Sequence, residues 1–533
     1  MLFHTWPFFV FLLVVLPVYF ALGRTRFWIP WLLVASYFFY GWWNPYYLLL
    51  VVYSTALDYF LVALMDHCPR EGGRSNIAER LTRLRFDDWV LKTAFVGSSA
   101  CALFAGCLVF VGPVTLRPTL ILLGFILLLM ALGSLLGSRK IWLVISLFNN
   151  LALLLFFKYA RFVIENLNGV FSELGMSIKL ADPASLMPFG AAYLLPVGIS
   201  FFTFQSLSYT IDFYLGRVHR ERHLLRFATF VCFFPQLMAG PIERAKHLLP
   251  QFERFPQFKL LNLTDGCSLF LVGLFKKLAL ANYLSFYVER IYDNPRVHGA
   301  SALAMATFAF AWQIFFDFSG YTDMARGIAR MMGFHLILNF NNPYLATGLG
   351  EFWSRWHMSL STWFRDYVYV PLGGNRHGSF KTYRNLFITF VVSGVWHGAA
   401  WTFVIWGLLH ASGVMLTREL ERSSFYRERV PKFLKQLGVF LFVCFAWIFF
   451  RAENLSEAIF IVRQIFSGSW NDPEIPLLML LMVALVWGYQ FLYESAFRPF
   501  LATPVFRVSL AVFMICYLCF CSSAAGSFIY FQF

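Results

Sequence analysis

Apolar residues occur in long runs along most of the chain, separated by short polar or basic segments. Spanning the hydrocarbon core of a bilayer takes about 20 mainly apolar residues in a helix. Runs of this character cover residues 7–22, 28–43, 46–65, 93–114, 119–137, 141–157, 189–214, 403–416, 437–450, 477–492 and 508–521. The pattern predicts an all-α polytopic membrane protein with about eleven to thirteen transmembrane helices.

The pattern changes between residues 227 and 401, where Pro, Gly, Asn and charged residues interrupt the apolar runs, for example at 339–343. Such backbone at membrane depth is tolerated only where protein buries it or where it lines a watery cavity. We therefore expect one or two re-entrant segments and the functional core in this third. A single domain over 1–533 then divides into N-terminal helices (1–226) with an extra basic loop (66–92), the core (227–401) and C-terminal helices (402–533).

Composition supports the membrane interpretation. The chain is 59% hydrophobic and 13% charged, against about 45–50% and 25% in soluble domains, which excludes a soluble enzyme with one anchor. The net charge is +15, and Lys and Arg collect in cytoplasmic loops. Basic residues follow alternate runs, so we predict an outside N-terminus and an external amphipathic segment at 158–188.

Two histidines stand out in the middle third. His357 lies in the segment Phe-Trp-Ser-Arg-Trp-His-Met, and the alternative there is an interfacial helix anchored by its aromatic residues. His397 lies in an apolar segment between Gly394 and Gly398. An ionisable residue in such a setting is a functional candidate, and its alternative is a structural hydrogen bond inside the bundle.

The chemistry of acyl transfer gives these histidines a role. Transfer from a thioester to an alcohol needs a base for the hydroxyl proton, and imidazole titrates in the right range. Burial would keep the ring neutral, as a base requires. His397 and His357 are the candidates for this catalytic role, with small residues beside His397 leaving room for a substrate tunnel. His410 is interpreted as a bundle residue, and we expect no metal site and no tightly bound cofactor.

Six further residues are candidates to line a substrate cavity: Arg355, Trp396, Asp317, Tyr321, Asp323 and Asn375. The two aspartates are suited to acid–base work or a cation path. The alternative, which we favour, pairs Asp323 with Arg326 and lets Asp317 cap a helix break at residues 319–320. Asn375 belongs to a Pro-Leu-Gly-Gly-Asn-Arg turn that we interpret as a tight loop, because it follows no strand.

Five internal blocks in order give the chain a family resemblance. They read FFPQLMAGPI (233–242), FDFSGYTDMA (316–325), FWSRWHMSLS (352–361), RDYVYVPLGGNR (365–376) and SGVWHG (393–398), and the chain closes on FIYFQF (528–533). The chain thereby resembles the membrane-bound O-acyltransferase (MBOAT) superfamily, and within it the alginate O-acetyltransferase (AlgI-like) branch. The related D-alanyl transferases of teichoic acid share the Trp-His blocks but not the PLGGNR turn, which favours the polysaccharide acetylation branch.

The resemblance implies a ring of membrane helices around a funnel, with His397 as the invariant family histidine at its narrow point and His357 as the second. It implies that acyl groups come from a thioester such as acetyl-CoA on the cytoplasmic side. A periplasmic or extracellular acetyltransferase partner of the SGNH type would receive them. The region from residue 67 to 139 is longer than this branch leads us to expect, with an extra basic loop and room for two extra helices.

We therefore expect a multi-pass O-acyltransferase of the bacterial inner membrane, by preference an O-acetyltransferase acting on an exported polysaccharide, with no nucleic-acid partner. One alternative is a D-alanyl or other acyl transferase of cell-wall polymers. A second is a transporter or flippase whose histidines relay protons, although the sequence shows no inverted repeat. A third is a non-catalytic scaffold of a polymer export complex.

Overall fold

The computed structural model describes residues 1–68, 89–111, 117–187 and 193–521, and over these residues all regular structure is helical. The helices of the first half are α1 Trp6–Ala21, α2 Trp28–Gly41, α3 Pro45–Asp66, α4 Trp89–Val111, α5 Arg117–Leu136, α6 Arg139–Leu154, α7 Ala160–Glu173, α8 Ile199–Tyr214, α9 Leu224–Cys232, α10 Phe234–Leu237 and α11 Ala245–Leu248. Most of the predicted basic loop and the closing block at 528–533 lie outside the described residues.

The second half contains the longest helix. Its helices are α12 Leu260–Phe275, α13 Asn282–Tyr292, α14 Ala300–Met331, α15 Leu349–Arg355, α16 Met358–Phe364, α17 Gly378–His397, α18 Trp401–Leu420, α19 Ser424–Arg429, α20 Lys432–Arg451, α21 Leu455–Ser467, α22 Leu477–Tyr493, α23 Arg498–Leu501 and α24 Pro504–Cys521. Single π-helical turns occur at Leu155–Tyr159, Lys276–Ala281 and Arg365–Tyr369.

Seven helical segments among the described residues are long and apolar enough to cross a membrane, and three shorter apolar helices accompany them. The seven are Pro45–Asp66, Trp89–Val109, Arg139–Glu173, Leu260–Tyr292, Ala300–Met331, Lys432–Arg451 and Pro504–Cys521. The prediction of an all-α polytopic membrane protein is therefore confirmed. The larger helix count and the ring around a funnel stay predictions.

Two sequence-based boundaries differ from the structure. The run predicted to end at residue 157 continues through the π-helical turn into α7, so that Arg139–Glu173 is one segment of 35 residues. The helix α14 is unbroken over 32 residues, although its stretch was predicted to be interrupted. It continues past Asp317 and Asp323 because two lysines of the π-helical turn after α12 lie opposite them, as described below.

The described helices group into two compact units. The N-terminal unit comprises residues 17–238 and 242–255. Within it, α3, α6 and α8 pack together, and α4 pairs with α5. Where α3, α6 and α8 meet, the buried carboxylate of Asp58 accepts hydrogen bonds from Ser146, Asn150 and Ser206. These donors compensate the burial of a charged group and join the three helices through polar contacts.

The C-terminal unit comprises residues 1–16, 239–241 and the chain from 256 onward. Its centre is α14, which is 83% buried over its most apolar window. Helices α12, α13, α20 and α21 pack against α14, and α17 pairs with α18. All candidate site residues belong to this unit.

Glycines bring α12 and α14 into close contact. A Cβ atom at Gly273 would stand 2.5 Å from the carbonyl oxygen of Gly320, and one at Gly327 would stand 2.6 Å from the carbonyl oxygen of Gly266. Real Cβ atoms do not approach backbone so closely, so each position requires glycine. Small residues at helix contacts in membranes allow this kind of approach.

We expect Gly273→Ala to destabilise the protein by about 1–3 kcal/mol, because the added methyl group overpacks the contact. Gly438→Ala on α20 is the matched control, since a Cβ there meets nothing within 4 Å. Thermal unfolding in detergent measures both variants. Equal unfolding temperatures for the two variants would contradict the close contact between α12 and α14.

Candidate functional site

His357 lies at a sharp turn between two short helices. It follows α15 and precedes α16, its backbone has φ 40°, and its side chain is fully buried. The alternative of one interfacial helix through this segment is wrong, because the left-handed backbone at His357 separates α15 from α16. A left-handed conformation is unusual for a residue other than glycine, and such strain clusters at functional sites.

The loop at Asn339 holds this turn from the opposite side. The Asn339 carbonyl oxygen accepts the Met358 N–H at 2.9 Å, and the Asn341 N–H donates to the Arg355 carbonyl at 2.9 Å. The Asn339 side-chain oxygen Oδ1 accepts from the backbone N–H of Ser359 at 3.2 Å and from its hydroxyl at 2.9 Å. The same oxygen lies 3.1 Å from Nδ1 of His357.

Aromatic rings enclose the His357 imidazole. The ring centroids of Phe318, Phe340 and Trp396 lie 4.7, 6.3 and 6.5 Å from it. Burial in this surrounding lowers the pKa of His357, because desolvation penalises the charged form. Burial therefore favours the neutral imidazole, which is the form required of a proton acceptor.

His397 is the last residue of α17 and is 5% exposed. Its ring packs against Trp396, Trp406 and Phe450 at centroid distances of 4.9, 5.0 and 5.3 Å. The Trp396 ring thus contacts both candidate histidines. The structure brings His357, Trp396 and His397 together in one aromatic cluster.

The glycines beside His397 have a different role from the one predicted. A Cβ at Gly394 would collide with the backbone of α18 at Phe403 and Gly407, and one at Gly398 would collide with the Phe403 ring. The expectation of a substrate tunnel along these glycines is wrong. Their small size serves the close packing of α17 against α18, and this packing fixes where α17 ends and where His397 is placed.

Arg355 has two carboxylate partners. It contacts Glu351 at 2.8 Å and Glu494 at 2.7 Å, and it also donates to the Asn341 carbonyl at 3.3 Å. Burial acts to raise the pKa of Glu351, but the hydrogen bonds from Thr347 and Arg355 outweigh it and lower this pKa below its usual value. The guanidinium therefore connects α15 to residue 341 and to the end of α22, close to the His357 turn.

Asp317 and Asp323 are both ion-paired on α14. The sequence-based pairing of Asp323 with Arg326 is confirmed at 3.3 Å, and Lys276 joins it at 2.7 Å. Asp317 pairs with Lys277 at 2.7 Å, with both side chains less than 5% exposed. The predicted helix break capped by Asp317 is wrong, since α14 is continuous there.

Sequence reasoning missed the two lysines. They stand side by side in an otherwise apolar run and occupy the π-helical turn after α12. Two charges in a membrane segment are unfavourable unless compensated, so their presence was itself a signal of opposite charges nearby. The lysines make Asp317 and Asp323 part of the helix contact, which is why neither carboxylate needs to face a cavity.

We expect Lys277→Met to destabilise the protein by about 3–5 kcal/mol, because it leaves the Asp317 charge buried without its partner. Lys276→Met should have a smaller effect, since Asp323 keeps Arg326. The double variant Lys277→Met/Asp317→Leu should regain stability. Thermal unfolding in detergent compares the three, and a double variant no more stable than Lys277→Met would argue against the pair.

The remaining candidates, Tyr321 and Asn375, also belong to the C-terminal unit. Tyr321 is buried on α14 and stacks on Phe3 at 4.7 Å. Asn375 is exposed in a turn that the Asn385 amide holds by donating to the Gly374 carbonyl at 2.9 Å.

A third buried histidine adjoins the cluster. His410 on α18 is fully buried, and its Nδ1 accepts the indole N–H of Trp353 at 3.3 Å. Its ring packs against Trp406 at 4.7 Å, and the Trp406 ring also contacts His397. In the described part of the chain, no three His, Cys, Asp or Glu residues come together as a metal site would require.

Comparison with known proteins identifies relatives of this chain. The family model described as membrane-bound O-acyltransferase (MBOAT) matches residues 141–456, which include both histidines and exclude α4 and α5. The probable alginate O-acetylase AlgI of Pseudomonas aeruginosa is 40% identical over 371 residues, covering 68% of this chain and 68% of that protein.

Two further relatives broaden the comparison. The peptidoglycan O-acetyltransferase of Helicobacter pylori is 32% identical over 462 residues, covering 81% of this chain and 72% of that protein. The teichoic acid D-alanyltransferase of Streptococcus thermophilus is 30% identical over 300 residues, covering 52% of this chain and 69% of that protein.

Proposed function

Because the chain belongs to the membrane-bound O-acyltransferase family, we propose that it transfers acetyl groups from a cytoplasmic thioester, such as acetyl-CoA, for O-acetylation of an exported cell-surface polysaccharide. The observation that carries the proposal is the similarity to alginate and peptidoglycan O-acetylating proteins over two thirds or more of the chain. Both names describe O-acetylation of a glycan polymer.

His397 is proposed as the general base of the transfer, and His357 as a second proton-handling residue. The acceptor hydroxyl oxygen attacks the thioester carbonyl carbon while its proton passes to an imidazole nitrogen. The carbon–sulfur bond then breaks, and the proton returns to the departing thiolate. The acceptor is a sugar hydroxyl of the polymer or a serine of a partner acetyltransferase.

The surroundings of the two rings support this chemistry. Both imidazoles are buried among Phe and Trp rings, and this burial excludes bulk water. Exclusion of water protects a thioester from hydrolysis. An imidazole within hydrogen-bond reach of a hydroxyl contributes about 10²–10⁴-fold to the rate of proton transfer chemistry.

We further propose the bacterial inner membrane as the location, with the N-terminus outside and an SGNH-type acetyltransferase as the partner on the exported side. The placement of basic residues after alternate apolar runs supports this orientation. It also gives the cytoplasmic face positive charge, which attracts an anionic CoA-type donor.

D-alanyl transfer fits less well. The relatives of that name cover about half of this chain, whereas the O-acetylating relatives cover more. A transporter would need coupling to an ion gradient, and a scaffold would tolerate loss of both histidines.

Inverted membrane vesicles from the producing cells test the proposal, since they expose the cytoplasmic face and enclose the export machinery. Radiolabelled acetyl-CoA is added outside, and alkali-labile label is counted on polymer inside. We expect labelled polymer from vesicles with the wild-type chain and none from a deletion strain. Loss of labelling on adding a protonophore would favour the transporter, and equal labelling in the deletion strain would exclude the proposed function.

A further inference from the structure

The His357 imidazole meets a side chain that no motif of the sequence identifies as functional. Its Nδ1 lies 3.1 Å from Oδ1 of Asn339, which is 1% exposed and stands eighteen residues earlier in the chain. Which of the two ring nitrogens carries the proton depends on which atom of the amide faces the ring. The other contacts of Asn339 settle that question.

The orientation of the Asn339 amide is fixed by Ser359. The backbone N–H of Ser359 can only donate a hydrogen bond, and its nitrogen lies 3.2 Å from an end atom of the Asn339 side chain. The atom that receives it must therefore be the carbonyl oxygen and not the amide nitrogen. The Ser359 hydroxyl donates to the same oxygen at 2.9 Å.

The amide in turn fixes the proton on His357. A carbonyl oxygen has no proton to donate, so a neutral imidazole beside it must carry its proton on Nδ1. The other nitrogen, Nε2, then carries the lone pair. We propose that Asn339 is a positioning residue that holds His357 in the tautomer whose Nε2 accepts a proton during acyl transfer. This inference rests on the proposed function of His357.

The backbone of the same loop supports the arrangement. The Asn339 carbonyl accepts the Met358 N–H, and the Asn341 N–H donates to the Arg355 carbonyl. These two bonds flank His357 on either side and hold its left-handed backbone at φ 40°. The tautomer and the ring orientation are thus set by one loop, which is how a hydrogen bond to the other ring nitrogen commonly tunes a functional histidine.

On α14 and α15, the charged groups nearest to the surroundings of His357 have partners of opposite charge. On α14 the charged residues nearest to Phe318 in sequence are Asp317, paired with Lys277, and Asp323, paired with Lys276 and Arg326. On α15, Arg355 is paired with Glu351 and Glu494. Asn339, Ser359, Phe340 and Trp396, which contact or surround the imidazole, carry no charge. A carboxylate placed at residue 339 would therefore be a new charge beside His357.

The test compares Asn339→Ala, Asn339→Asp and the control Asn341→Ala in the vesicle assay. Asn339→Ala should lower acetyl transfer by about 10-fold or more, because the ring loses its fixed tautomer. Asn339→Asp keeps an acceptor oxygen and should retain more activity. Its carboxylate raises the pKa of His357, so the loss of activity on acidification should begin at higher pH than in the wild type. Asn341 is exposed and contributes only its backbone, so Asn341→Ala should match the wild type.

The outcomes separate this inference from the proposed function. No acetyl transfer by wild-type vesicles would refute the function itself. Transfer that depends on His357 but is unchanged in Asn339→Ala, or an unshifted pH profile in Asn339→Asp, would overturn the positioning role alone. Loss of membrane-inserted protein in Asn339→Ala leaves the pH profile of Asn339→Asp as the deciding measurement.

Discussion

Replacing His397 by alanine is expected to lower acetyl transfer by about 10²–10⁴-fold, because the variant has no base at the end of α17 to accept the hydroxyl proton. His397→Gln should be equally inactive, since its amide fills similar space but does not take up a proton. Label transfer from acetyl-CoA in inverted vesicles measures both variants.

The control for His397 lies at the other end of the same helix. His377 immediately precedes α17 and is exposed, so His377→Ala should transfer acetyl groups at the wild-type rate. Immunoblots of washed membranes confirm equal amounts of each variant. Wild-type transfer by a well-expressed His397→Ala protein would remove His397 from the mechanism.

The second large effect is expected at His357. His357→Asn should lower acetyl transfer by about 10²-fold or more while keeping the fold. Asparagine tolerates the left-handed backbone, and its side-chain amide has N–H groups able to donate to Asn339. This amide has no basic lone pair equivalent to that of the imidazole nitrogen Nε2.

A comparison with His357→Ala separates strain from chemistry. Alanine at φ 40° is strained, so this variant should unfold at a lower temperature than His357→Asn and be at least as inactive. If His357→Asn retained wild-type transfer, His357 would have a structural role only, and the turn between α15 and α16 would serve to place Trp396 and its neighbours.

The membrane helices followed from the sequence because bilayer thickness imposes a length and an apolar composition on each span. The ends of these helices were predicted less accurately. The helical segment from Arg139 continues to Glu173. A helix can extend beyond the apolar layer until a residue in its own sequence ends it. The apolar pattern identifies the crossing but not the projecting end.

The same limit explains α14. Asp317 and Asp323 suggested a break, but each has a lysine partner in the π-helical turn after α12. These partners are 40 and 47 residues distant in sequence, and only the packing of α12 on α14 brings them together. The adjacent lysines indicated that carboxylates lie nearby, but the sequence did not show which carboxylates these are.

The two histidines could be found because an ionisable residue in an apolar segment is unfavourable unless it serves a purpose. Their aromatic neighbours were partly visible in the Trp-His pairs. Asn339 was not, since its contact with His357 depends on a left-handed turn and on the orientation of one amide. Gly394 and Gly398 were misinterpreted because a small residue makes room equally well for a ligand or for another helix.

In the proposed function, this chain moves acetyl groups through a site containing His397 onto an exported polysaccharide. The most direct measurement is the acetate that mild alkali releases from purified cell-envelope polysaccharide of a deletion strain. That strain is complemented with the wild type, His397→Ala or the control His377→Ala at equal membrane abundance. We predict ester-linked acetate with the wild type and His377→Ala, and only the background of the deletion strain with His397→Ala. Equal acetate in all three complemented strains, or in the deletion strain itself, would contradict the claim.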